Sequence, residues 1–139
     1  MQREQIDDLI VQLIVIKEFS KQIHYSCIGF EAYSWHLLAD RIQENTDEYV
    51  DRLKEYLLGI DERPLTSKEY LMEVINKLPK ANSQDTIDNF IKVQNLLLET
   101  VQNINSTEIE KAGDNLISEI ADNLRNSIGI INLLVSKKG

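Results

Sequence analysis

Residues 24–59 read HYSCIGFEAYSWHLLADRIQENTDEYVDRLKEYLLG and hold both histidines of the chain. From Trp35, the apolar residues Leu38, Ile42, Tyr49, Leu53 and Leu57 follow at intervals of three, four and seven, the recurrence of one helix face. Advancing about 100° per residue places His36, Asp40, Glu44, Asp47, Asp51 and Glu55 within a single arc of about 100°, away from that apolar stripe. The stretch predicts a long helix with a core face and a separate ionisable face, ending near Gly59, a natural terminator.

Working upstream, Ile6, Leu9, Leu13, Ile16, Ile23 and Cys27 recur at spacings of three, four and seven, and Ile10 and Ile14 add a second stripe. The run LIVQLIVI (residues 9–16) by itself fits a strand, but the pattern continues for some twenty residues and length decides for a helix. The second stripe predicts contact with another subunit. Gly29 interrupts the pattern before the second helix. Downstream, Pro64 and Pro79 bracket a segment in which Thr66 and Glu69 have capping-box spacing, which predicts a short helix over 67–77 inside a long crossover. Ser83 is placed to cap a third main helix carrying Ile87, Phe90, Ile91, Leu97, Leu98, Val101 and Ile104. Thr107 and Glu110 form another capping-box pattern, opening a fourth with Ile117, Ile120, Leu124, Ile131 and Leu134 inward.

With only five Gly and two Pro, long uninterrupted helices and an all-α fold follow. An up-down-up-down bundle needs short loops only. A long connection between the second and third main helices instead points to a ferritin-like four-helix bundle, with the short helix in its crossover. The length suits a single domain, 1–139, with a core that needs neither disulfides nor metals. A single cysteine, Cys27, makes no internal disulfide and reads as a small packed hydrophobe. No signal peptide or span of about 20 apolar residues is evident, so a cytoplasmic location is expected, with no membrane partner. The net charge of −8, without a basic tail, disfavours nucleic-acid phosphate and favours cations.

An acidic helix face is most simply a solvated face. Two spacings argue for more. His36 and Asp40 stand four apart, so both can touch one ion, and Asp51 with Glu55 repeats the spacing with two carboxylates. The midpoints of the two pairs, residues 38 and 53, are separated by about 22 Å of helix at 1.5 Å per residue, so one helix cannot close both pairs on one metal. Two copies set antiparallel about a two-fold axis can, giving two equivalent sites per dimer. His24 joins such a site if the first helix packs beside the second. Imidazole and carboxylate together suit Fe(II), with Mn(II) or Zn(II) as surrogates, and the absence of thiolate argues against structural zinc.

The spacing of these five residues, with His24 followed by His36 after eleven residues, Asp40 after three, Asp51 after ten and Glu55 after three, resembles that of the Dps-like mini-ferritins. Gly29 matches the glycine of that family's inter-helix loop, and EYVDRLKEYLLG (residues 48–59), with the Arg63-Pro64 and Lys68-Glu69-Tyr70 that follow, resembles its second helix and crossover. Tyr25 stands where the family usually has tryptophan. No Glu-x-x-His occurs, against the ferritin centre built inside one bundle.

The resemblance implies a ferroxidase centre across a dimer interface, with His24, Asp51 and Glu55 expected from one subunit and His36 and Asp40 from its partner. It further implies a hollow, acidic dodecamer built from two-fold dimers, oxidation of Fe(II) by hydrogen peroxide and storage of ferric oxide. Glu110 and Asp114, one turn apart, are candidates for a pore or entry funnel, and equally for acids complementing a helix N-terminus. DNA binding is not expected without basic extensions. The alternative to this reading is a non-enzymatic four-helix scaffold or interaction protein whose acidic face is merely solvated.

Overall fold

The computed structural model describes residues 2–29, 31–82 and 85–138. Five helices follow in order: α1 (Gln2–His24), α2 (Ala32–Gly59), α3 (Ser67–Lys77), α4 (Thr86–Asn105) and α5 (Lys111–Lys138). α1 and α2 pack as one antiparallel pair and α4 and α5 as another, with α1 also against α4 and α3, and α2 against α5. The hydroxyl of Thr86, at the start of α4, accepts from the Ile28 amide just beyond α1, at 2.9 Å. α2 and α4 therefore start at the same end and run parallel, which is why the crossover through α3 must travel the length of the bundle.

The periodic residues fill the core. Trp35, Leu53, Leu57, Phe90, Leu97, Ile120 and Ile131 are all essentially inaccessible, and the Trp35 and Phe90 rings meet at 4.3 Å between centroids. Ile91 and Leu98, expected inward, are exposed, and Val93 is buried in their place. The second stripe of α1 also departs from expectation. Ile10 and Ile14 are buried within this chain, because α1 is covered by α2, α3 and α4 at once. Ile14 faces a cleft with Val50, Tyr70 and Leu71. The exposed apolar face lies on α3 instead, at Leu71, Met72 and Ile75.

The ends of the elements follow local chemistry. Thr66 caps α3 by accepting from the Glu69 amide, and Glu69 returns a bond to the Thr66 amide, the capping box expected there. Hydrogen bonds from Thr66 hold the Glu69 carboxyl below its ordinary range. α4 is capped by Asp85, whose carboxylate accepts from the Asp88 amide; Ser83 lies outside the described residues. α2 continues through Gly59, and the left-handed residue beyond it is Asp61, at φ 61°. The second expected capping box is not formed. The Thr107 hydroxyl donates to the Asn103 carbonyl at 2.7 Å, closing α4, and Glu110 accepts from the Tyr56 hydroxyl at 2.9 Å. Thr107 sits at the end of α4 rather than at the start of α5, so the preceding helix captures its hydroxyl.

Side-chain ties fix the helix pairs. Arg52 holds both carboxylate oxygens of Glu119, at 2.5 and 3.2 Å, and Tyr49 donates to the same carboxylate. Arg52 keeps the Glu119 carboxyl below the usual range. Buried Tyr70 donates to Asp7 at 2.7 Å and accepts from the Leu65 amide at 3.0 Å, fastening α3 and the crossover to the first turns of α1. Arg3 extends that tie by bonding Asp7, Glu62 and the Arg63 carbonyl.

Candidate metal centre

The ionisable face of α2 divides into parts with different surroundings. His36 and Asp40, near its start, are half-buried against the end of α1, whereas Asp51 and Glu55, three turns further on, are exposed. Glu44 is exposed, and Asp47 is taken by Lys17 of α1 at 2.9 Å. Among the described residues Asp40, Asp51 and Glu55 have no hydrogen-bond or ion-pair partner, so their oxygens are uncommitted.

The end of α1 brings the two histidines together. Gly29, at φ +96°, turns the chain between the helices in a conformation that side-chain-bearing residues rarely adopt. The turn lays the His24 ring on the His36 ring, with centroids 3.8 Å apart and planes 37° apart. His36 Nδ1 lies 3.3 Å from the His24 carbonyl. A carbonyl can only accept, so this bond requires the proton on Nδ1 and leaves the Nε2 lone pair of a neutral ring free. His24 Nδ1 is buried with no partner among the described residues.

The expected grouping of His24 with Asp51 and Glu55 is therefore not the one within the chain. His24 lies with His36, at the opposite end of the acidic stripe from Asp51 and Glu55, because α1 packs antiparallel on α2 and ends where α2 begins. Sequence spacing alone does not say which end of the acidic face His24 meets.

Among the described residues no cluster of three or more His, Cys, Asp or Glu side chains is gathered on one point within a single chain. The two half-sites remain about 22 Å apart along α2. Their donors, neutral imidazole nitrogen and uncommitted carboxylate oxygen, fit a divalent first-row ion. Tyr25, 80% exposed, sets its ring edge-on to His24 at 4.9 Å. Cys27 is half-buried, its thiol pointing to the Ile23 carbonyl, and burial pushes its pKa up, so it is a poor thiolate. At the start of α5, the Glu110 carboxylate is engaged by Tyr56, while Asp114 is exposed beside a cleft with Asn105, Asp122 and Arg125.

The fold recurs in solved structures. The chain matches Dps from Listeria monocytogenes with a TM-score of 0.79 at 19% identity, over 97% of this chain and 93% of that one. It matches zinc-soaked Dps from Listeria innocua with a TM-score of 0.76 at 20% identity, over 98% and 97%. This chain has the Dps fold. Vibrio cholerae Dps, described as a member of a broad superfamily of ferritin-like diiron-carboxylate proteins, matches with a TM-score of 0.70 at 16% identity, over 96% and 88%. No family model and no curated protein matches the sequence.

Ser20 was outside the residues that sequence reasoning assigned to the site. It is fully buried on α1, one turn before His24, and its hydroxyl has no partner among the described residues. The only signal for it in the sequence was the i, i+4 spacing to His24. The Arg52–Glu119 clamp was likewise invisible, because its partners are brought together by the packing of α2 on α5.

Proposed function

We propose that the chain is a ferroxidase and iron-storage protein that consumes Fe(II) and hydrogen peroxide together and protects against oxidative stress. The observation that carries the reading is the His24–His36 stack, with Asp40 one turn further along α2 and Asp51 and Glu55 uncommitted on the same helix face. In a two-fold dimer with antiparallel α2 helices, His24, His36 and Asp40 of one chain meet Asp51 and Glu55 of the partner subunit. Fe(II) enters this mixed nitrogen and oxygen set as substrate. One electron from each of two Fe(II) ions reduces one peroxide, whose O–O bond breaks to give two oxygens at the oxidation level of water. These leave as water on taking up protons or enter the ferric oxide, so the pair of reactants that otherwise generates hydroxyl radical is removed. The carboxylates favour the ferric product over the ferrous substrate because they compensate its added charge.

The unit is the single domain 1–139, and its assembly is a hollow homo-oligomer of about twelve subunits in the cytoplasm, with Glu110 and Asp114 at an entry funnel. Mn(II) or Zn(II) would occupy the site as surrogates. The net charge of −8 leaves negligible affinity for DNA at physiological salt. No helix among the described residues is long and apolar enough to cross a membrane.

The test is the native mass of the protein before and after anaerobic Fe(II) followed by peroxide. A particle of about twelve subunits that gains iron without precipitate is expected, and His36→Ala or Asp51→Ala should abolish Fe(II) binding while leaving the mass unchanged. A monomer or dimer that lets ferric oxide precipitate, indifferent to both substitutions, would refute the reading and leave a scaffold protein with a solvated acidic face.

A further inference from the structure

Two buried polar atoms in this chain have no hydrogen-bond partner among the described residues, the Ser20 hydroxyl and His24 Nδ1. They belong to residues one turn apart on α1. Side chains on a helix tilt toward its N-terminus, so a residue at i+4 leans back over residue i; His24 leans toward Ser20. The Lys17–Asp47 ion pair and the His24–His36 stack fix the antiparallel register of α1 on α2. That register sets Ser20 level with the Asp40–Gln43 turn, beneath the candidate site.

A serine present for small size alone has an easy way to satisfy its hydroxyl, by bonding the carbonyl four residues back. The buried threonines of this bundle do so. Thr46 donates to the Ile42 carbonyl and Thr100 to the Leu96 carbonyl, each at 2.8 Å. Ser20 makes no such bond, and so keeps both its donor and its acceptor capacity. His36 has its Nδ1 proton placed by a backbone carbonyl; His24 lacks an equivalent, although a metal-ligating histidine normally donates its other ring nitrogen to a fixed acceptor.

We propose that Ser20 is the positioning residue for His24: through one bridging water, its hydroxyl accepts the Nδ1 proton, which holds the ring in the tautomer that presents the Nε2 lone pair to a divalent metal. The assignment rests on the metal-site reading above. It satisfies both orphaned atoms with one water, which gains at least two polar partners. It also makes the two imidazoles equivalent, each with Nδ1 as donor and Nε2 as ligand.

The experiment is anaerobic titration of the assembled protein with Co(II), read by its visible ligand-field absorption, for wild type, Ser20→Ala, Ser20→Thr and the pair in a His24→Ala background. Ser20→Ala is expected to weaken Co(II) binding by about tenfold or more, and Ser20→Thr, which keeps the hydroxyl, to restore it. In the His24→Ala background Ser20→Ala should add nothing, since it acts through that ring. The circular dichroism spectrum of metal-free Ser20→Ala should match that of wild type, which separates a loss of ring orientation from a loss of fold. Wild-type affinity in Ser20→Ala overturns the proposal, as does a loss that persists undiminished in the His24→Ala background. A wild-type protein that binds no Co(II) instead defeats the metal-site reading itself, and this inference with it.

Discussion

His36 and Tyr70 illustrate how a single side chain is committed by its partners. The His24 carbonyl sets the His36 proton on Nδ1, and Tyr70 spends its hydroxyl on Asp7 and the Leu65 amide. Burial, and then the bond to Asp7, raises the Tyr70 pKa well above its ordinary value. A group whose pKa is raised on folding contributes stability that is fully present below its unfolded value, about 10 for tyrosine, and is lost as pH rises toward the folded value. Urea unfolding followed from neutral to alkaline pH should therefore show stability declining above about pH 10. In Tyr70→Phe that decline should be shallower, while stability at neutral pH should fall by about 1–3 kcal/mol, because Asp7 and the Leu65 amide lose their partner. An alkaline limb identical in the two proteins would count against the Tyr70 network.

Among the elements, the α1–α2 turn sets the candidate site and the start of α3 sets the crossover. Gly29 holds φ +96° with open space where a Cβ would stand. Gly29→Ala should cost about 1–2 kcal/mol from backbone strain alone, with no steric clash. Because that turn stacks the histidines, the same variant should weaken Co(II) binding, and unchanged affinity would show that the stack tolerates a different turn. Thr66→Ala breaks the capping box of α3 and should lower stability by about 1 kcal/mol in thermal melts. Trp35→Ala, which empties a fully buried position against Phe90, should cost about 3–5 kcal/mol.

For the whole molecule, the apolar surface left by folding is where the proposed assembly would bring copies together. Leu71, Met72 and Ile75 stand together on the outer face of α3, 46%, 59% and 68% exposed, an apolar patch of the kind that contacts between copies cover. Exchanging Met72 and Ile75 for aspartate should reduce the native mass measured by light scattering without reducing helical content by circular dichroism. An unchanged mass would place the contacts between copies elsewhere, for instance on the exposed Ile91 and Leu98 of α4.

Helix identities were legible from the chain because a buried face must repeat near 3.6 residues, and the crossover because its capping box and two prolines are local signals. The ionisable face of α2 was legible for the same reason, since one rigid helix fixes which side chains share a face. What the chain alone could not convey lies between elements. The second stripe of α1 looked like an oligomer contact, yet α3 folds back to cover it within the chain. Thr107 had the spacing to open α5, yet the carbonyl of Asn103 reached its hydroxyl first. The place of His24 beside His36 rather than beside Asp51 and Glu55 depends on α1 running antiparallel to α2. Local sequence thus determined which residues each helix presents; the direction and order in which the helices pack decided which of those residues meet, because such contacts join positions that no periodicity links.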